Sequence, residues 1–122
     1  MSILHPGDLF PAEAWLCLKS DPSCYLIDVR TDQEWRTVGV PDLSSIAKKL
    51  VMLSLQENFV KELMSIIPDK NSKLLFICRS GIRSNTAAHN AFKDGYLNSY
   101  NILGGFEGEG GWIASNMPWR LY

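Results

Sequence analysis

Three cysteines among 122 residues are too few, and odd in number, for a disulfide scaffold. Cys17, Cys24 and Cys78 stand in no CxxC pair and no Cys/His spacing of the kind zinc sites use, so no metal is expected. Both features fit a reducing compartment. Long apolar runs are missing too. The longest plain ones, such as 74–78, hold about five residues, where a membrane helix needs about 20. The first eight residues have neither a basic start nor an apolar stretch of export length. A soluble, cytoplasmic protein with no membrane partner is the expectation. Nor is there an excess of one charge: Lys plus Arg number 12 and Asp plus Glu 13, a net of −1. That balance excludes a general electrostatic footprint for nucleic acid, so any anion must be held by a local arrangement. Residues 104–111 contain five of the nine glycines, but no Gly-Lys-Ser/Thr follows, and Glu107 and Glu109 would repel phosphate. No cofactor is therefore expected.

What is present is a globular balance, 46% hydrophobic and 20% charged, in a chain short enough for one domain over 1–122. Short apolar runs alternate with helical patterns. Residues 25–29 and 73–78 read as buried strands, and 99–103 as a further one. Helices are expected over 11–18, with Pro11 in the first turn, over 59–67 after an Asn58 cap, and over 84–93 with Gly95 as left-handed stop. A short helix is expected to start at Trp112 and stop by Asn116. The stretch 45–55 reads as a strand over 50–55, although a helix also fits 45–53. Strands alternating with helices predict an α/β fold: a mainly parallel central sheet of about five strands with helices on both faces.

The chemistry is concentrated in C-R-S-G-I-R-S, residues 78–84, where a buried strand ends and a helix begins. Ligands of open α/β sheets bind at that carboxyl edge. Successive backbone N–H groups of such a loop curl into an anion nest, and the helix start, with Ser84 as its expected cap, aims its dipole at the same place. Arg79 and Arg83 add positive charge, and Gly81 supplies freedom for the turn. Each effect favours the Cys78 thiolate, the nucleophilic form. Cys17 and Cys24 are expected to be ordinary buried free thiols. His5 and His89 are expected to be ordinary surface or boundary residues.

C-R-S-G-I-R-S resembles the active-site loop of rhodanese-like sulfurtransferases. Leu26-Ile27-Asp28-Val29-Arg30 with Glu34-Trp35, Asn101-Ile102-Leu103-Gly104-Gly105, and Trp112 through Pro118 are similar to three further family blocks in the same order. The resemblance implies a rhodanese-like three-layer sandwich and ping-pong sulfur transfer through a Cys78 persulfide, from a small donor such as thiosulfate to a thiophilic acceptor, small or a protein thiol. It makes Cys78 the nucleophile. Arg79, Ser80, Gly81, Ile82, Arg83 and Ser84 become the substrate-binding cradle, and the two arginines bind an oxyanionic donor. Related phosphatases of the same architecture place five residues between Cys and Arg. Here Cys78 and Arg83 enclose four, Arg79 to Ile82, a cradle better matched to one sulfur than to a phosphate, which leaves a phosphatase or arsenate reductase of the same fold as the lesser alternative. A non-catalytic binding module of the same fold is the alternative, although such modules usually lack the cysteine or the loop charges.

Asp28 and Arg30 share a strand face at the same edge and are the expected supporting residues. Arg30 is expected to pair with Glu34 and pin the following helix, and Asp28 to accept a buried hydrogen bond. Residues 104–111 read as a mobile loop beside Cys78, able to gate access or meet a partner. Trp35, Trp112 and Trp119 read as packing residues. The chain departs from the family pattern at Gly39-Val40-Pro41-Asp42-Leu43, which lacks the usual histidine, in a longer spacing from Gly105 to Trp112, and at Asn116, which replaces a glycine.

Overall fold

The computed structural model describes residues 6–122; the expectation for His5 lies outside them. Five parallel strands make the central sheet: β1 (Gly7–Leu9), β2 (Cys24–Asp28), β4 (Val51–Met52), β5 (Lys73–Ile77) and β6 (Ser99–Ile102), in the order β1-β6-β5-β2-β4. The helices are α1 (Pro11–Ser20), α2 (Asp32–Val38), α3 (Phe59–Ile66) and α4 (Ile82–Lys93). A separate antiparallel ribbon joins β3 (Val40–Pro41) to β7 (Trp119–Arg120).

The continuous apolar run of β5 explains its central place, because alternate residues serve opposite layers. Leu74, Phe76 and Cys78 belong to one core with Phe59 and Leu63 of α3 and Ala87, Ala88 and Ala91 of α4. Leu75 and Ile77 belong to the other, with Ala14 and Leu18 of α1, Phe106 and Trp112. The sheet is thus the middle of three layers. Within the described residues no helix is long and apolar enough to cross a membrane.

Local chemistry sets the helix starts. Glu13 reaches back to accept from the Phe10 N–H at 2.9 Å, and Pro11 gives up no bond by standing first. Thr31 and Glu34 form a reciprocal box: Glu34 N–H donates to Thr31 Oγ1 at 3.2 Å, and Thr31 N–H donates to Glu34 Oε1 at 3.1 Å. Asn58 stands at the cap of α3, but its side chain makes no capping bond.

Several expectations are corrected. α4 begins at Ile82, not Ser84, because Gly81 adopts φ 106° and turns the chain into the helix two residues earlier. Ser84 is therefore inside the first turn rather than its cap. The 45–55 stretch is neither a full strand nor an α-helix; it is a 3₁₀ turn, Ser44–Ile46, followed by the two-residue β4. Residues 112–116 form hydrogen-bonded turns instead of a helix, and Asn116 takes the left-handed conformation at φ 59°.

Candidate active site

Cys78 follows directly on β5, at the carboxyl edge of the sheet. Its side chain is turned inward, only 1% exposed, while Arg79 and Ser80 are exposed and Ile82 is 77% exposed. Burial alone pushes a thiol toward its neutral form. Here burial is outweighed: the Ser84 hydroxyl and the N–H groups of Ser84, Gly81 and Ser80 donate to the sulfur and hold Cys78 below the ordinary thiol value. The Gly81 N–H lies 3.1 Å from Sγ and the Ser84 hydroxyl 3.2 Å. The other buried thiol, Cys24, has no such donors among the described residues, and burial drives it up to about 12. Cys17, expected to be buried, is only half-buried, because it stands on α1 at the sheet's margin with the Lys73 ammonium 3.9 Å from its sulfur, and His89 lies partly buried in the middle of α4.

The arginines do something other than the sequence led one to expect. Arg83 makes a two-pronged pair with Glu34, Nη1 to Oε1 at 2.6 Å and Nη2 to Oε2 at 2.8 Å. That partnership pulls the Glu34 carboxyl down to about 2. Arg79, 68% exposed, sits in a looser 3.5 Å pair with Glu107. Both charges near the loop are thus met by carboxylates. A cleft of about 370 Å³ opens beside them, lined by Thr31, Gln33, Glu34, Thr37, Val38, Arg79 and Glu107.

Arg30 does not pair with Glu34. It folds back onto Asp28, Nη2 to Oδ2 at 2.7 Å and Nε to Oδ1 at 3.0 Å, with both side chains fully buried. Its Nη2 also donates to the Gly39 carbonyl at 2.9 Å, and its guanidinium lies 4.3 Å from the centre of the Phe106 ring. The pair therefore stands beneath the surface and not on the rim of the crevice. The reason is reach: Arg30 lies just past the end of β2, two residues from Asp28, and needs no excursion to the helix, while Glu34 is already engaged by Arg83.

The glycine-rich stretch is not a loose flap. Phe106 N–H donates to the Cys78 carbonyl at 2.7 Å, Glu107 N–H to the Arg79 carbonyl at 3.0 Å, and Trp112 N–H to the Gly105 carbonyl at 2.7 Å. Phe106 and Trp112 are fully buried. Gly105, at φ 59°, passes so close that a Cβ there would stand 2.6 Å from the Cys78 carbonyl oxygen. Glycine permits this approach, and the approach ties the first two loop residues into the sheet edge. Trp112 adds a bond from Nε1 to the Pro118 carbonyl at 2.6 Å. Trp35 is 8% exposed and Trp119 44% exposed.

Two contributors escaped the sequence reading. Phe106 is the residue that closes the strand end. Asn101, 5% exposed on β6, has its Oδ1 2.6 Å from the Ser84 hydroxyl and donates from Nδ2 to the Gly81 carbonyl at 3.2 Å. The available signal was a polar residue next to the carboxyl end of a strand, at the ligand-bearing edge.

Comparison with known proteins agrees with this architecture. The family described as the STR4 middle domain, a rhodanese-like family, matches residues 10–122. The uncharacterized protein RP600 of Rickettsia prowazekii is 42% identical over 115 residues, covering 89% of this chain and 93% of that protein. The crystal structure of Rv0390 from M. tuberculosis superposes with a TM-score of 0.87 at 40% identity, covering 97% of this chain and 99% of the other. The polysulfide-sulfur transferase homodimer of Wolinella succinogenes shares the fold, with a TM-score of 0.76 at 24% identity over 93% of this chain and 77% of the other. With nearly its whole length matched in sequence and architecture, the chain belongs to the rhodanese-like family.

Proposed function

We propose that the protein is a sulfurtransferase that carries one sulfane sulfur as a persulfide on Cys78. The observation that supports this most directly is the sulfur's surroundings: a thiol at the sheet edge, held below its ordinary value by peptide N–H groups and a hydroxyl despite its burial. Donors fixed in advance stabilise an anion without reorganising, so the thiolate is populated before substrate arrives. A cytoplasmic setting would keep that thiol reduced.

In the first half-reaction a lone pair of the Cys78 thiolate forms an S–S bond to the sulfane sulfur of the donor. The donor's own bond to that sulfur breaks, and its electron pair leaves as sulfite from thiosulfate, or as a thiolate from a persulfide or polysulfide. The negative charge then resides on the outer sulfur. In the second half-reaction cyanide, a small thiolate or a protein thiolate attacks that outer sulfur, and the electron pair of the S–S bond returns to Cys78. No redox partner is needed. Arg79, exposed and loosely paired, is the cation placed to swing toward an oxyanionic donor; Arg83 is committed to Glu34 and serves to fix the loop against α2. Asp28 and Arg30 support the edge from below. Ser80, Gly81 and Ser84 hold the sulfur, and Ile82 presents an apolar surface at the mouth.

The test is intact mass of the full chain after thiosulfate or polysulfide, then after cyanide. The protein should gain one sulfur atom and lose it as thiocyanate, and Cys78→Ser should do neither. Thiocyanate formation undiminished in Cys78→Ser would overturn the proposal, and so would a wild-type protein that never gains sulfur from either donor.

A further inference from the structure

We propose that Asn101 is a positioning residue for Cys78, acting through the single hydrogen of the Ser84 hydroxyl. The inference rests on Cys78 being the reactive thiol. The hydroxyl oxygen stands 2.6 Å from Asn101 Oδ1 and 3.2 Å from Cys78 Sγ. A hydroxyl has one hydrogen to give, so it serves one of these acceptors at a time. Asn101 is not free to turn round and donate instead, because its Nδ2 is held by the Gly81 carbonyl at 3.2 Å. Ser84 is fully buried and Asn101 5% exposed, so the acceptor that loses the contest gains little from solvent.

The winner depends on the charge of the sulfur. When Cys78 is a neutral thiol, the shorter contact takes the hydrogen to Asn101, and the Ser84 oxygen is left to accept from S–H. When that proton leaves to solvent, the hydroxyl hydrogen swings to the thiolate and Asn101 Oδ1 goes unpaired. When the sulfur is loaded, the charge moves to the outer atom and the hydrogen returns to Asn101. Asn101 thus favours the two resting states over the bare thiolate and keeps that thiolate from being over-stabilised. Among the ionised side chains near the loop, Arg83 is paired with Glu34, Arg79 with Glu107, and Asp28 with Arg30. The core on the α3 and α4 side of the sulfur is apolar, with Val29, Leu53, Phe59, Leu63, Ala87 and Ala88 in the same cluster.

The experiment is titration of Cys78 by thiolate absorbance and by the pH dependence of its alkylation, in the full chain with Cys17 and Cys24 replaced by serine. Ser84→Ala should weaken the acid constant by about tenfold or more, the size of one hydrogen bond to a charged group. Asn101→Leu should strengthen it, by up to about tenfold, since the hydrogen then belongs to the sulfur alone. Asn101→Asp, a stronger and charged acceptor, should weaken it. General loosening of the loop would move both Asn101 variants the same way. In the Ser84→Ala background, Asn101→Leu should have no effect. A weaker acid in Asn101→Leu, or a shift that survives the loss of the hydroxyl, would overturn the inference. Should the leucine variant show no cooperative melt, the aspartate variant decides: a stronger or unchanged acid there overturns it. The titration needs no sulfur donor, so failure of sulfur transfer leaves its outcome readable.

Discussion

Replacing Arg30 by methionine removes one half of a fully buried ion pair and leaves Asp28 as a carboxylate with 0% exposure. Three bonds to that carboxylate go, two from Nε and one from Nη2, together with the bond to the Gly39 carbonyl and the contact over Phe106. Stranding one partner of a buried pair costs about 3–5 kcal/mol. For 122 residues the unfolding entropy near the midpoint is about 0.26 kcal/mol/K, so Tm should fall by about 12–20 °C. The double variant Asp28→Leu/Arg30→Met should recover most of that loss. It buries no charge, and it also removes Arg30 Nη1, a buried nitrogen with no hydrogen-bond partner among the described residues. Calorimetric melts of the wild type, the two single variants and the double variant supply the measurement. A drop of less than about 4 °C in Arg30→Met, or a double variant no more stable than the single, would refute the reasoning.

Gly105→Ala should cost more than about 2 kcal/mol: the left-handed backbone is strained by about 1–2 kcal/mol for a side-chain-bearing residue, and the new Cβ meets the Cys78 carbonyl. Urea unfolding and sulfur transfer should fall together, since the same contact anchors the loop. Glu34 is held at about 2 in the folded chain against 4.5 when free, so its pair with Arg83 stabilises fully above about pH 4.5 and the benefit is lost as pH falls toward 2. The urea midpoint should decline across that window, and Glu34→Gln should remove part of the slope. Cys24, at about 12 and 1% exposed, should resist iodoacetamide in the native chain at pH 8, as peptide mapping of the alkylated protein will read.

The parts of this molecule legible in its sequence are those whose residues decide locally. K-L-L-F-I-C reads as a central strand because every position after Lys73 is apolar and both layers use it. β2 reads because 25–29 is a short, mostly apolar run, whereas the Thr31–Glu34 box that starts α2 went unread. The parts that escaped are set by partners far along the chain. β1 is three residues long and exists by pairing with β6, and β7 is an edge dipeptide that pairs with the Gly39 corner. The arginines show the same division. Their nearness to Cys78 is written in the heptapeptide, but Arg83 chooses Glu34, 49 residues away. The glycine-rich stretch resembles a flexible tether by composition. Its glycines are there because neighbouring backbone leaves no space for a Cβ at Gly104, Gly105, Gly108 and Gly111.

These departures share one physical consequence for the site. A chain with a net charge of −1 can hold an anion with mobile cations or with fixed dipoles. Here the cations are answered by carboxylates, Arg83 by Glu34 and Arg79 by Glu107, while the sulfur faces peptide N–H groups and one hydroxyl. Fixed dipoles carry no counter-ion, do not swing away, and are held in place by the covalent loop and by α4. Their cost is geometric, since every donor must be placed by something else. That is why the left-handed turn at Gly81, the close pass of Gly105 and the anchoring of Phe106 on the Cys78 carbonyl belong to the site as much as the thiol does. The four residues between Cys78 and Arg83 carry two of those donors, the N–H groups of Ser80 and Gly81, and α4 carries the other two, both on Ser84.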